Sequence, residues 1–172
     1  MPVRTCNHIA LRCRDAQETA DFYTKYLGLQ LTIADREVQF RGKPCQFLHI
    51  FLKMADGNYL AFFDLPEFAP AQKDPNTPAF AQHIAFQVDS DEEVEEARRT
   101  LEANGVEVDG PITRPPFHSI YFADPNGHRL EITSIAKPIV GRYEDDEGKA
   151  RKSLDQWNAE KSEGFKPAAA GK

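Results

Sequence analysis

Long apolar runs are missing from this 172-residue chain. The longest, such as Phe47 to Leu52 and Tyr59 to Phe63, cover five or six residues, whereas a membrane-spanning helix needs about 20. No membrane partner is therefore expected. The opening residues MPVRTCNHIALR carry no apolar core ahead of a small-residue cleavage site, so no signal peptide is expected. Cysteine is scarce as well. Cys6, Cys13 and Cys45 form no CxxC pair, which speaks against a disulfide framework and for reduced thiols in a cytoplasmic protein. A basic excess is also lacking: 21 Lys and Arg stand against 27 Asp and Glu, for a net charge of -6. With no Lys/Arg stripe either, a nucleic-acid surface is not expected. What is present is 41% hydrophobic and 28% charged residues. That is enough to build a core, and the length fits one domain or one domain with a tail.

The strongest organising feature is an internal repeat. Asn7-His8-Ile9-Ala10-Leu11 recurs 75 residues later as Gln82-His83-Ile84-Ala85-Phe86. Each copy alternates as a half-buried strand does, so the histidine falls opposite the large aliphatics. A helix pattern follows each strand. The first starts at Asp15, runs through Phe22 and Tyr23 to Leu27, and stops at Gly28. The second starts at Ser90 or Asp91, runs through Val94 and Leu101, and stops at Asn104-Gly105. Its acidic run, Asp91 to Glu96, sits where the helix dipole favours negative charge.

Strand signals follow each helix. In the first half they cover Leu29 to Ile33, Val38 to Phe40, Cys45 to Lys53 and Asn58 to Leu65. In the second half they cover Val106 to Asp109, Phe117 to Ala123 and His128 to Ser134, the last two joined by the turn Asp124-Pro125-Asn126-Gly127. Each half reads β-α-β-β-β, and the fold class is α+β. The expected organisation is one domain over 1–136, with modules at about 4–66 and 79–136 and a proline-rich connection from Pro66 to Pro78. Residues 137–172 read as a surface-docked or mobile tail, with Leu154 and Trp157 on one side of a short helix.

The aliphatics must pack under the helices, so His8 and His83 are expected on the other, concave side of their sheets. Glu131 lies between Leu130 and Ile132 in the last strand and takes the same side. Two imidazoles and one carboxylate at face-matched positions have the composition of the 2-His-1-carboxylate facial triad. That triad leaves open positions on a divalent metal. One histidine in a strand is usually structural, but a carboxylate on an inner face is expensive unless it is paired or binds a cation.

These residues resemble the vicinal oxygen chelate superfamily of glyoxalase I, extradiol dioxygenases, methylmalonyl-CoA epimerase, and fosfomycin and bleomycin resistance proteins. The matching pieces are His8-Ile9-Ala10-Leu11, Asp21 through Leu29 with its FYxxxLG core, His83-Ile84-Ala85-Phe86, and Asp124-Pro125-Asn126-Gly127 through Glu131. The resemblance spans about residues 4 to 136. It implies paired βαβββ modules curling into an open mixed β-barrel around one divalent metal held by His8, His83 and Glu131. Glyoxalase I carries a fourth ligand, a Glu near the end of the first half. Here the nearest candidate is Asp64, one methylene shorter. Tyr121, ten residues before Glu131, resembles the tyrosine of the extradiol dioxygenase signature.

The resemblance implies Fe(II) or Mn(II) ahead of Zn(II), Ni(II) or Co(II). The substrate is a small molecule chelated through vicinal oxygens, and ring-cleaving dioxygenase chemistry stands slightly ahead of lyase, isomerase or epimerase chemistry. Tyr121 and His118 are the candidate catalytic side chains, with His49 a further candidate acid/base. A non-catalytic antibiotic binder and a fosfomycin-type enzyme are the rival readings, with Arg12, Arg114 and Arg129 as scattered cations for the latter. The family implies a homodimer. If modules exchange between copies, His8 would come from one subunit and His83 and Glu131 from the other.

Overall fold

The computed structural model describes residues 2–69, 76–139 and 145–164. The chain divides into two compact units, Met1–Ala136 and Lys137–Lys172. The first unit runs β1 (His8–Cys13), α1 (Ala16–Leu27), β2 (Gln30–Phe40), β3 (Lys43–Lys53), β4 (Tyr59–Asp64), a 3-10 turn (Ala79–Ala81), β5 (Ile84–Gln87), α2 (Asp91–Ala103), β6 (Val108–Arg114), β7 (Phe117–Ala123) and β8 (Arg129–Ile135). The repeat is real in three dimensions. One four-stranded sheet has the order β1-β4-β3-β2 and the other β5-β8-β7-β6. In each, the first strand pairs parallel with the last and the remaining pairs are antiparallel. In the single chain the sheets are separate ladders. Of the proline-rich connection, residues 70–75 lie outside the described residues.

Local chemistry fixes the helices. The Asp15 side chain accepts from Glu18 N at 2.7 Å to start α1. Gly28 ends it in the left-handed region at φ 67°, where a side chain would be strained. Ser90 accepts from Glu93 N at 3.3 Å, and the Glu93 carboxylate reaches back to Asp89 N at 2.8 Å. This reciprocal arrangement satisfies two free donors at the start of α2. The core lies on the helix side of each sheet. Ile50, Leu52, Leu60 and Phe62 pack with Ala20, Phe22 and Tyr23. Ile120, Phe122, Leu130 and Ile132 pack with Val94 and Leu101.

Three elements differ from expectation. The two strands expected over 29–40 are one, because Ala34, Asp35 and Arg36 pair with Ile50, His49 and Leu48. An edge strand carries such charges without burying them. The strand expected at Val106 to Asp109 instead runs to Arg114 through Pro111. An edge position tolerates that missing N–H. The register shifts there beside Gly110, where a Cβ would meet Ser119 O at 3.0 Å. In the second unit α3 (Glu147–Glu163) is seventeen residues long, started by the Asp146 side chain accepting from Lys149 N. Leu154 and Trp157 lie on it and are exposed. No helix among the described residues is long and apolar enough to cross a membrane.

The modules meet through α1 and the turn after β7. Asp124, 5% exposed, accepts four hydrogen bonds. They come from Tyr23 Oη (3.0 Å), Asn126 Nδ2 (2.9 Å), Asn126 N (2.9 Å) and His128 N (2.8 Å). Asn126 in turn accepts from Arg14 N at 2.8 Å and donates to Thr19 Oγ1 at 3.1 Å. Burial, then Asp124, holds the Tyr23 hydroxyl protonated far above the ordinary phenol range, so it keeps the proton it donates to Asp124. Replacing Asp124 by Ala strands these buried donors. The expected cost is about 2–4 kcal/mol in urea denaturation, and a loss below about 0.5 kcal/mol would refute this account of the seam.

Candidate metal centre

β8 is an inner strand of the second sheet, and its neighbours β5 and β7 bring the site together. Glu131 faces Tyr121 across the β7–β8 pair and Ala85 across the β5–β8 pair. His83 stands two residues before Ala85, so it shares that face. The result is a compact cluster. His83 Nε2 lies 2.9 Å from Glu131 Oε2. Tyr121 Oη donates to Glu131 Oε1 at 3.0 Å. The His83 ring meets the Tyr121 ring edge-on, with centroids 5.8 Å apart. Glu131 is 7% exposed. Burial, then the hydrogen bond to Glu131, pushes the Tyr121 phenol up, which keeps its proton in place as a donor.

The donor set and its spacing fit a divalent cation. Two adjacent donors at about 2.1 Å from an octahedral ion stand about 3 Å from each other, which the His83–Glu131 pair matches. An imidazole and a carboxylate are ligands that Fe(II), Mn(II) and Zn(II) share.

His8 opens β1 on the equivalent face of the first sheet and is exposed. Its Nδ1 donates to Asn7 Oδ1 at 2.9 Å. That leaves the Nε2 lone pair free, the tautomer a metal ligand needs. Asn7 is a neighbour the sequence displays but that chemistry alone did not single out. The structure does not bring His8 to the His83–Glu131 pair. Among the described residues of one chain, no three His, Cys, Asp or Glu side chains form a metal-holding group. The modules meet through α1 and the helix-side aromatics, including Phe22 against Phe122 and Phe62 against His128. His8, His83 and Glu131 lie on the opposite faces of their sheets.

Beside His8 runs a row of half-buried aromatic rings. His49 stacks on Phe63 at 3.7 Å and 13°, and packs against Phe51 at 4.3 Å. Phe51 also meets His8 (5.7 Å) and Tyr59 (6.0 Å), and Phe47 meets Phe63 (5.7 Å). Burial first, then the neighbouring His8, pulls the His49 imidazole below its ordinary value, against a smaller opposing pull from Asp35. It is therefore neutral at physiological pH, with a buried Nε2 that has no partner among the described residues.

Other candidates fall elsewhere. His118 is three residues from Tyr121, an odd spacing that puts it on the helix side of β7. There its Nδ1 bonds Thr113 Oγ1 at 2.8 Å, and its Nε2 lies 3.7 Å from Glu95 Oε1 on α2. Asp64 also faces its helix, accepting from Ala16 N at 3.0 Å. His128 is half-buried and bonded through Nε2 to Arg12 O at 2.9 Å. One pair went unnoticed in the sequence: Arg129 lies over the Tyr121 ring at 4.7 Å and is tied to Asp109 at 3.2 Å.

Residues 5–132 match the family model described as Glyoxalase/Bleomycin resistance protein/Dioxygenase superfamily. Among curated proteins, the chain is 28% identical over 137 residues to Bacillus subtilis MhqA, provisionally named a ring-cleaving dioxygenase. The match takes in 78% of this chain and 41% of MhqA, so the chain spans about two-fifths of that relative. Among solved structures, a glyoxalase/dioxygenase from Nostoc punctiforme is 31% identical with a TM-score of 0.60, covering 78% of this chain and 92% of that one. A fosfomycin resistance protein, FosX, from Listeria monocytogenes is 25% identical with a TM-score of 0.58, covering 76% and 92%. It was solved with Mn(II) and 1S,2S-dihydroxypropylphosphonic acid.

Proposed function

The chain belongs to the Glyoxalase/Bleomycin resistance protein/Dioxygenase superfamily, and from that premise we propose that it is a ring-cleaving dioxygenase of small aromatic diols, dependent on Fe(II) or Mn(II). The carrying observation is the His83–Glu131–Tyr121 cluster, with contacts of 2.9 and 3.0 Å. His83 and Glu131 are two ligands, and His8 is the third, supplied by the second subunit of a homodimer. The likeness to MhqA supports ring cleavage, and Mn(II) in the FosX complex supports the choice of metal.

When bound, the divalent ion supplies Lewis acidity to two neighbouring substrate oxygens. The chain's own residues do the rest. The row from Tyr59 through Phe51, His49 and Phe63 to Phe47 offers an aromatic wall of ring edges and faces to a planar ring. His49, one of the two candidate acid/base groups with His118, is held neutral and takes the ring hydroxyl proton on its imidazole. Tyr121 keeps its proton and holds Glu131.

The edge strand β2 exposes Leu31, Ile33, Val38 and Phe40. Proteins usually cover such an edge, which supports the second copy. Oxygen uptake by Fe(II)- or Mn(II)-loaded protein with a panel of catechols tests the reaction. One O₂ consumed per diol lost is the expected result. No uptake with any diol, alongside turnover of fosfomycin or a hemithioacetal, would replace this reading with the corresponding addition or isomerisation.

A further inference from the structure

Glu131 divides its two oxygens. Oε1 accepts from Tyr121, and Oε2 lies against His83 Nε2. The carboxylate can rotate about its last bond, so this division persists only while the Tyr121 hydroxyl stays where it is. Arg129 lies over the face of the Tyr121 ring, which His83 meets edge-on. Its guanidinium carbon sits 4.7 Å from the Tyr121 ring centroid, and its Nη2 donates to Asp109 Oδ2 at 3.2 Å. Asp109 is the residue opposite Tyr121 on β6, so the ring is gripped by a cation anchored to the neighbouring strand. The arrangement sacrifices a hydrogen bond: Arg129 Nε is buried and has no partner among the described residues. An arginine placed only for surface pairing would turn that N–H toward an acceptor or water.

We propose that Arg129 is a positioning residue for the metal centre, acting through Tyr121 to aim Glu131 Oε2. This rests on the reading of His83 and Glu131 as ligands. Partners of ligating carboxylates tune metal affinity in this way, commonly by 10- to 100-fold. The sign of the effect separates it from simple electrostatics. Removing a nearby positive charge should tighten the binding of a cation, whereas loss of positioning weakens it. Lysine does not substitute, because an ammonium lacks the planar face that stacks on the ring.

The test is Mn(II) titration of the full chain, followed by the electron paramagnetic resonance signal of free Mn(II), with circular dichroism to confirm folding. Arg129→Met and Tyr121→Phe are each expected to weaken binding about 10-fold. The double variant should be no worse than about 10-fold, since both act through one hydrogen bond. Arg129→Lys should match Arg129→Met, and it carries the test if the Met variant fails to fold. Glu131→Gln is the control for the centre itself. If it loses Mn(II) while the Arg129 variants bind as tightly as wild type or tighter, the positioning role is overturned. If Glu131→Gln keeps wild-type affinity, the centre is misassigned and the positioning role goes with it.

Discussion

Glu131→Gln and His83→Ala are each expected to lower affinity for Fe(II) or Mn(II) by at least about 100-fold, or about 3 kcal/mol, and to reduce oxygen uptake with diols to background. The Gln variant is the sharper of the two. An amide has nearly the shape of the carboxylate, and its oxygen still accepts from Tyr121 Oη. Packing on the inner strand β8 is thus preserved, while the negative charge that holds a cation is removed. Its unfolding midpoint in urea should therefore stay close to wild type as metal binding collapses. Retention of Mn(II) within about threefold, less than about 1 kcal/mol, would show that Glu131 is a structural carboxylate, with its 2.9 Å contact to His83 an ordinary ion pair. The His83 variant separates ligand loss from charge loss, because it removes a donor without changing the carboxylate.

The repeat and its alternation carried most of the architecture. Two strands opening at or just after a histidine, two helices capped by Asp15 and Ser90, and the strands after each helix follow from period-2 and period-3.6 patterning with visible stop signals, although the charged stretch inside β2 splits its signal in two. Glu131 was legible for the same reason: Leu130 and Ile132 had to take the helix side, and both are buried there. His118 was drawn in by its chemistry, although its odd spacing from Tyr121 already assigned it to the far face. The surroundings of His128 and Asp124 could not be read, because their partners Arg12 and Tyr23 lie more than a hundred residues away, across the seam between modules. Arg129 over Tyr121 was hidden differently. It depends on Asp109, whose place opposite Tyr121 is set by the irregular register around Gly110 and Pro111. Patterning reports which face a side chain takes. It does not report which distant face is folded against it.

His8 provides the remaining large effect. One chain brings together His83 and Glu131 but leaves His8 on the other module, exposed, with Nε2 available for ligation. If each site joins the first module of one subunit to the second module of its partner, two inactive variants should repair each other. In a heterodimer of His8→Ala with His83→Ala, one site carries both lesions and the other carries none. Random pairing makes half of all dimers mixed, so about one quarter of wild-type oxygen uptake should return when the two are co-refolded. Each variant alone should stay at background. The converse mixture is equally informative. A chain carrying both substitutions spoils both sites of any heterodimer, so an equal mixture with wild type should retain about one quarter of the activity rather than the half expected for self-contained chains. Recovery absent from the first mixture, together with half activity in the second, would place His8 outside the shared centre. The third ligand would then have to come from a rearrangement within one chain.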